Sequence, residues 1–199
     1  MRKTAWYQDG AARSFIFLRY LPWLAGLNLA WELAHTRLYT LWSDASPSYI
    51  AFSILHCTAG DAMVGVFALV LALVLVRASA LALWRWPRIV LLTMIIGVGY
   101  TAFSEWMNIV ALQSWTYADS MPVLRAFGLE IGISPLVQWL LLPPLALRLA
   151  RRRVLGVLSA LAMVRTWRRS SAQAPVCLPL TRPTSVCRPR DDQWPPFTQ

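Results

Sequence analysis

The chain has 199 residues, 57% hydrophobic and 14% charged, with a mean hydropathy of +0.49, whereas soluble domains run at about 45–50% apolar and about 25% charged. That balance excludes an ordinary soluble enzyme. The net charge of +10, from 19 Lys and Arg against 9 Asp and Glu, would suit nucleic acid or an anionic membrane surface. However, the basic residues cluster at the ends of apolar segments, without zinc spacing or an aromatic-interleaved basic face, so the expected partner is the lipid bilayer and not nucleic acid.

Residues 1–14 read as a cytoplasmic N-terminus. They do not read as a signal peptide: Gln8, Asp9 and Arg13 interrupt the approach, Arg19 enters the apolar stretch, and no small-x-small site follows before Glu32. Four segments, 15–39, 49–76, 89–112 and 126–149, reach the roughly 20 residues needed to cross a ~30 Å hydrocarbon core. The expected fold is all-α, a bundle of four transmembrane helices over 15–150. The link carrying Arg77, Arg85 and Arg88 and the run Arg151 to Arg153 are basic, while the stretch from Trp42 to Pro47 has no Lys or Arg. Arg37 and Arg125 are the exceptions. The count places both termini in the cytoplasm, with the protein multi-pass in the membrane.

Residues 151–169 are apolar but short and flanked by Arg, which predicts a basic interfacial helix on the inner leaflet. Residues 170–199 hold six of the thirteen prolines and read as a disordered Pro-rich cytoplasmic tail. Cys57, Cys177 and Cys187 give neither a disulfide framework nor a Cys-x-x-Cys site.

The informative residues are the ionisable ones inside the spans, since each costs on the order of 2.5–3.5 kcal/mol at mid-bilayer. They are Glu32 and His35 in the first span, His56 and Asp61 in the second, Glu105 in the third and Glu130 at the start of the fourth. At 1.5 Å of rise per residue, Glu32, His56 and Glu105 lie about 10 Å and Asp61 about 18 Å below the outer ends of their helices. All share the outer half. Helical spacing adds polar stripes: Asn28, Glu32 and His35; Cys57 and Asp61; Thr101, Glu105 and Asn108; Glu130, Ser134 and Gln138. His56 sits about 100° off its stripe. Gly60, Ala59, Ala62 and Gly65 in the second span, and Gly97 and Gly99 in the third, are small enough to let a neighbouring helix approach.

The strings Leu27 to Glu32, Leu38 to Trp42, His56 to Asp61, Phe103 to Asn108, Trp115 to Tyr117 with Met121-Pro122, and Ser134 to Trp139 resemble an uncharacterised family of small bacterial polytopic membrane proteins, over about residues 20 to 145. The resemblance implies a similar membrane architecture and brings no reaction with it. The string Asn28-x-x-Trp31-Glu32 also resembles a motif of integral-membrane terpene cyclases, which would imply that Glu32 is a general acid toward an isoprenoid.

These residues point to one polar chamber with Glu32, Asp61 and Glu105 as catalytic acids or bases, lined by Asn28, His35, His56, Asn108 and Gln138. A buried carboxyl stays protonated at neutral pH and serves as a general acid. Alternatively, Glu32, His35, His56, Asp61 and Glu105 form a divalent-metal set around the Glu-x-x-His spacing of 32 to 35. The plainer alternative leaves His35 and Glu130 solvated and ties Glu105 to Arg37 or Arg125. Three function classes follow: an intramembrane enzyme or binding protein for a lipid or isoprenoid, a metal-ion or proton transport protein, and a scaffold or assembly factor. The inner halves, 66–76 and 91–98, offer Thr93 as their one polar side chain, which disfavours a conducting path.

Overall fold

In the computed structural model the backbone is described for residues 5–126, 129–172, 176–178 and 186–188, and the side chains for those up to 125 and from 130 to 152. The chain divides into two units, Met1–Arg151 and Arg152–Gln199.

The first unit is almost wholly helical. Helix α1 (Gly10–Phe15) is capped by Asp9, whose carboxylate accepts the Ala11 N–H. It continues through a π-helical turn (Ile16–Tyr20) into α2 (Leu21–His35), which tightens into a 3₁₀ turn (Thr36–Leu38). The segment expected as one uniform helix over 15–39 is therefore a composite. After the short α3 (Leu41–Asp44) comes α4 (Pro47–Leu75), started by Pro47 in its first turn and by the Ser46 hydroxyl, which accepts the Tyr49 N–H. It stops where Arg77 turns left-handed at φ 49°. The N–H groups of Arg77 and Ala78 then return to the carbonyls of Val74 and Leu73 at 3.0 and 2.9 Å. Helix α5 (Trp86–Trp106) begins with Pro87 and ends in a second π-helical turn (Met107–Ala111).

Strands β1 (Val123–Ala126) and β2 (Leu129–Gly132) pair antiparallel with Arg125 opposite Glu130. Helix α6 (Ile133–Ala172) follows. The fourth segment thus starts as helix at Ile133 and not at 126. The cause is local: the cross-strand ion pair Arg125–Glu130, 2.7 Å apart, and the glycine at 132 favour a hairpin in a stretch whose apolar content alone reads as helix.

Among the described residues, three helices are long and apolar enough to cross a membrane: Pro47–Leu75, Trp86–Ala111 and Ile133–Arg152. Hydrocarbon lipid provides no hydrophobic drive between helices, so close backbone approach has to do so. Of the glycines in α4 and α5, Gly65 and Gly97 serve. A Cβ on Gly65 would stand 2.2 Å from the Leu24 side chain, and one on Gly97 2.2 Å from the Trp139 ring. Gly60 and Gly99 meet nothing within 4 Å.

One end of this unit is rich in arginine. There Asp9 also accepts the Leu81 N–H at 2.7 Å, Phe15 packs against Trp84 and Trp86, and the Arg151 guanidinium lies 4.3 Å over the Trp86 ring. At the other end the loop after α5 lies against the end of the first helical segment. Ala118 and Thr40 donate to the carbonyls of Leu38 and Thr116 at 2.9 and 3.1 Å.

In the second unit, residues to Ala172 are the end of α6, and strands β3 (Val176–Leu178) and β4 (Val186–Arg188) pair antiparallel. Residues 151–169, expected as a separate interfacial helix, are helical as part of α6. Most of the tail expected to be disordered over 170–199 lies outside the described residues.

Candidate functional site

The polar residues converge at the loop-covered end of the first unit. Helix α2 turns one face inward, so that Asn28, Glu32 and His35 are 2, 6 and 8% exposed. Asn28 anchors to its own helix by donating to the Leu24 carbonyl at 2.8 Å, which leaves its Oδ1 free to accept. Gln138 supplies that proton: its Nε2 amide donates to Asn28 Oδ1 and to Asp61 Oδ2, both at 2.7 Å. One buried amide thus joins α2, α4 and α6. Asp61 also lies within electrostatic reach of Glu32.

Glu32 Oε1 is 3.1 Å from His35 Nε2, one turn along the same helix. The other ring nitrogen, Nδ1, is 3.2 Å from Ser134 Oγ at the start of α6. Thr36 closes this end of α2 by donating to the Glu32 carbonyl at 2.5 Å. Glu105, 6% exposed on α5, takes a different kind of partner. Tyr117 donates to its Oε2 at 2.5 Å and Tyr39 to its Oε1 at 3.4 Å. The Tyr117 hydroxyl also accepts the Gly132 N–H at 2.8 Å, which links α5 to the loop and to β2.

Glu32, Asp61, Glu105, Asn28, His35 and Gln138 therefore gather at one place, and the Cys57 thiol lies within the field of all three acids. Other expected members stand apart. His56 is exposed and stacks on Phe52 with ring centroids 5.6 Å apart, as its 100° offset requires. Asn108 turns its amide back on the Ser104 carbonyl and hydroxyl at 2.8 and 3.3 Å. Glu130 is a strand residue facing outward with Arg125. Among the described residues no three His, Cys, Asp or Glu side chains are grouped to hold a metal ion: His56 points away, and the His35 nitrogens are occupied by Glu32 and Ser134. The donor set read from the sequence does not fit a metal centre as placed. Neither arginine proposed as a tie for Glu105 reaches it, since Arg37 lies 5.1 Å over Trp42 and Arg125 pairs with Glu130.

Spacing gave no signal for Tyr39 and Tyr117 as partners of Glu105, or for Ser134 as a partner of His35, because the first two lie outside regular helix and Ser134 looked like one more stripe residue. Trp31 Nε1, Thr58 Oγ1 and Trp115 Nε1 are buried with no hydrogen-bond partner among the described residues. The Trp31 ring lies beside that of His35, and the Trp115 ring beside that of Tyr39. Two open clefts, of about 670 and 280 Å3, lie at the arginine-rich end, one including Trp86, Met94 and Arg151, the other Trp6, Leu73 and Arg77. Neither is lined by the acids.

Tyr117, outside the apolar helices, has its phenol pushed well above the ordinary value of 10, first by burial and then by the hydrogen bond to Glu105. An unfolded chain releases that proton near pH 10 while the folded chain keeps it. The contact therefore contributes its full stability below about pH 10 and loses it as the pH rises further. Thermal unfolding in detergent between about pH 9 and pH 11 should show a steeper alkaline loss in the wild type than in Tyr117→Phe. Parallel losses would remove Tyr117 as the cause.

The fold and this site define a helical protein with, among the described residues, three helices long and apolar enough to cross a membrane and a cluster of buried acids at one end. Comparison with protein-family models, curated proteins and solved structures finds no match to the chain.

Proposed function

We propose that the chain is a multi-pass protein of the bacterial inner membrane whose buried cluster performs acid–base chemistry on a lipid or isoprenoid drawn from the bilayer. The observation that carries this reading is the buried Glu32–His35 pair, 3.1 Å apart and gathered with Asp61 and Glu105, in which the imidazole can take or give a proton. Ionisable groups kept inside apolar helices are costly and are retained for function. A scaffold would neutralise them with arginine, and among the described residues none of the three acids has a Lys or Arg partner.

The composite helix Gly10 to Leu38 serves as a fourth crossing, its helical length being sufficient. The arginine-rich end is cytoplasmic and the acids lie in the outer half. Arg37 and Arg125, the exceptions to the charge rule, are engaged by Trp42 and Glu130. Reporter fusions after Arg88 and after Arg153 should report the cytoplasm, and one at Ser46 the outside. A periplasmic signal after Arg153 would overturn the topology.

The chemistry is tested by purifying the protein with Glu32→Gln, Asp61→Asn and Glu105→Gln variants in detergent and analysing bound lipid and metal by mass spectrometry. The expected result is a co-purifying apolar lipid in the wild type that is depleted several-fold in the folded variants. Stoichiometric metal lost in all three would replace this reading with metal handling, and equal lipid content in all four proteins would end it.

A further inference from the structure

We propose that Ser134 is a nucleophile activated by His35, with Glu32 orienting the imidazole, and that the substrate is an acyl ester of a membrane lipid. This rests on the acid–base reading above and supplies its substrate class. A hydroxyl, a base within hydrogen-bond reach, and a third group that fixes the base make up the arrangement by which weak nucleophiles are activated. Here the distances are 3.2 Å from Ser134 Oγ to His35 Nδ1 and 3.1 Å from His35 Nε2 to Glu32 Oε1. A single neutral tautomer serves both contacts. With Nε2–H donating to the carboxylate, Nδ1 carries the lone pair that accepts the serine proton.

Ser134 differs from several short polar side chains on these helices. Asn28, Thr36, Thr93 and Asn108 all donate back to a carbonyl four residues earlier in the chain, as such residues do inside helices. Ser134 is the second residue of α6, where no such helical carbonyl precedes it, and its hydroxyl is turned across to α2. Its backbone is held in place as well: the Ile133 N–H donates to the Pro122 carbonyl at 2.8 Å. The imidazole cannot swing away either, because both its nitrogens are engaged and its ring is packed between Trp31 and Tyr39. Trp31, whose ring lies beside His35 and whose buried indole N–H has no partner among the described residues, is assigned as the donor for the substrate's carbonyl oxygen. That is a second observation, independent of the serine, that asks for a ligand acceptor beside His35.

The chemistry balances without a further cofactor. Ser134 Oγ adds to the ester carbonyl carbon while its proton passes to His35 Nδ1. The tetrahedral intermediate expels the alcohol, which takes that proton, and an acyl-serine remains. Water, or the hydroxyl of a second lipid, then attacks the acyl carbon and gives its proton to Nδ1. Collapse returns the proton to Oγ and releases the acid or the new ester. Glu32 does not leave its carboxylate form in these steps and is a positioning residue.

The test uses the full chain in nanodiscs and a long-chain alkyl fluorophosphonate. In the labelling reaction Oγ displaces fluoride from phosphorus and His35 takes the proton. Peptide mass spectrometry should locate the adduct on Ser134. Labelling should vanish in Ser134→Ala and slow on the order of 100-fold in His35→Asn. It should slow at least tenfold in Glu32→Gln with partial rescue in Glu32→Asp, and stay unchanged in His56→Gln. Circular dichroism and the thermal midpoint identify variants that fail to fold. Where Ser134→Ala does, Ser134→Cys replaces it, and its alkylation rate should fall when His35→Asn is added. No adduct on Ser134 in the folded wild type, or a rate indifferent to His35, overturns the proposal. If lipid is still bound and still lost from the amide variants, only the nucleophile is wrong; if the lipid result also fails, the intramembrane reading falls with it.

Discussion

Gln138→Met is expected to cost about 2–4 kcal/mol of stability, because it keeps the volume of the side chain and removes both of its donors. Asn28 Oδ1 and Asp61 Oδ2, each held at 2.7 Å by the same amide nitrogen, would be left without that proton in a bundle where Gln138 itself is 3% exposed. Polar contacts between membrane helices are often weaker than this, near 0.6 kcal/mol on average, since the separated helices find other partners. Two features raise the figure here: one acceptor is a carboxyl, and one amide joins three helices. The thermal midpoint in detergent should fall by about 5–15 °C. A midpoint within about 2 °C of wild type would mean that the three-helix amide junction contributes little.

Gly97→Ala is expected to be comparably damaging, although it adds a single carbon. That carbon would stand 2.2 Å from Cε3 and 2.9 Å from Cδ2 and Cζ3 of Trp139, and the indole, 2% exposed, has no room to rotate. Overpacking of this kind costs about 1–3 kcal/mol. The strain would also move α6 next to Gln138 and loosen the junction at Asn28 and Asp61. Gly99→Ala, two residues on with nothing within 4 Å, is the control, and helix propensity predicts a gain of up to about 1 kcal/mol. Equal effects of the two alanines on the thermal midpoint would show that α5 and α6 are not packed through Gly97.

These two glycines also show what the sequence discloses and what it conceals. Residues two apart on a helix point about 160° away from each other, so only one of the pair can face a given neighbour, and nothing in the string says which. The convergence of Glu32, Asp61 and Glu105 is legible because each lies at a helical spacing from other polar groups and at a similar depth, and His56 fails for the same reason, being a fourth of a turn off. The β1–β2 hairpin was hidden by its apolar residues, which merge with α6 in any hydrophobic count; Arg125 and Glu130 opposite one another were the overlooked signal. Tyr39 and Tyr117 reach Glu105 from irregular backbone, where no period exists to be read.

The π-helical turn at Ile16–Tyr20 has a bearing on all of this. Ile16 and Glu32 are sixteen residues apart, and on a uniform α-helix their side chains would diverge by about 160°. Yet Ile16 is fully buried and Glu32 nearly so. The wider turn absorbs one extra residue, which sets back the phase of everything beyond it by about 100° and brings the two onto one side of the helix. The first helical segment can thus grip its neighbours at the arginine-rich end and still aim its acid inward at the other. The chemistry at Glu32 is set in part by a backbone irregularity three turns away, in residues with no chemistry of their own.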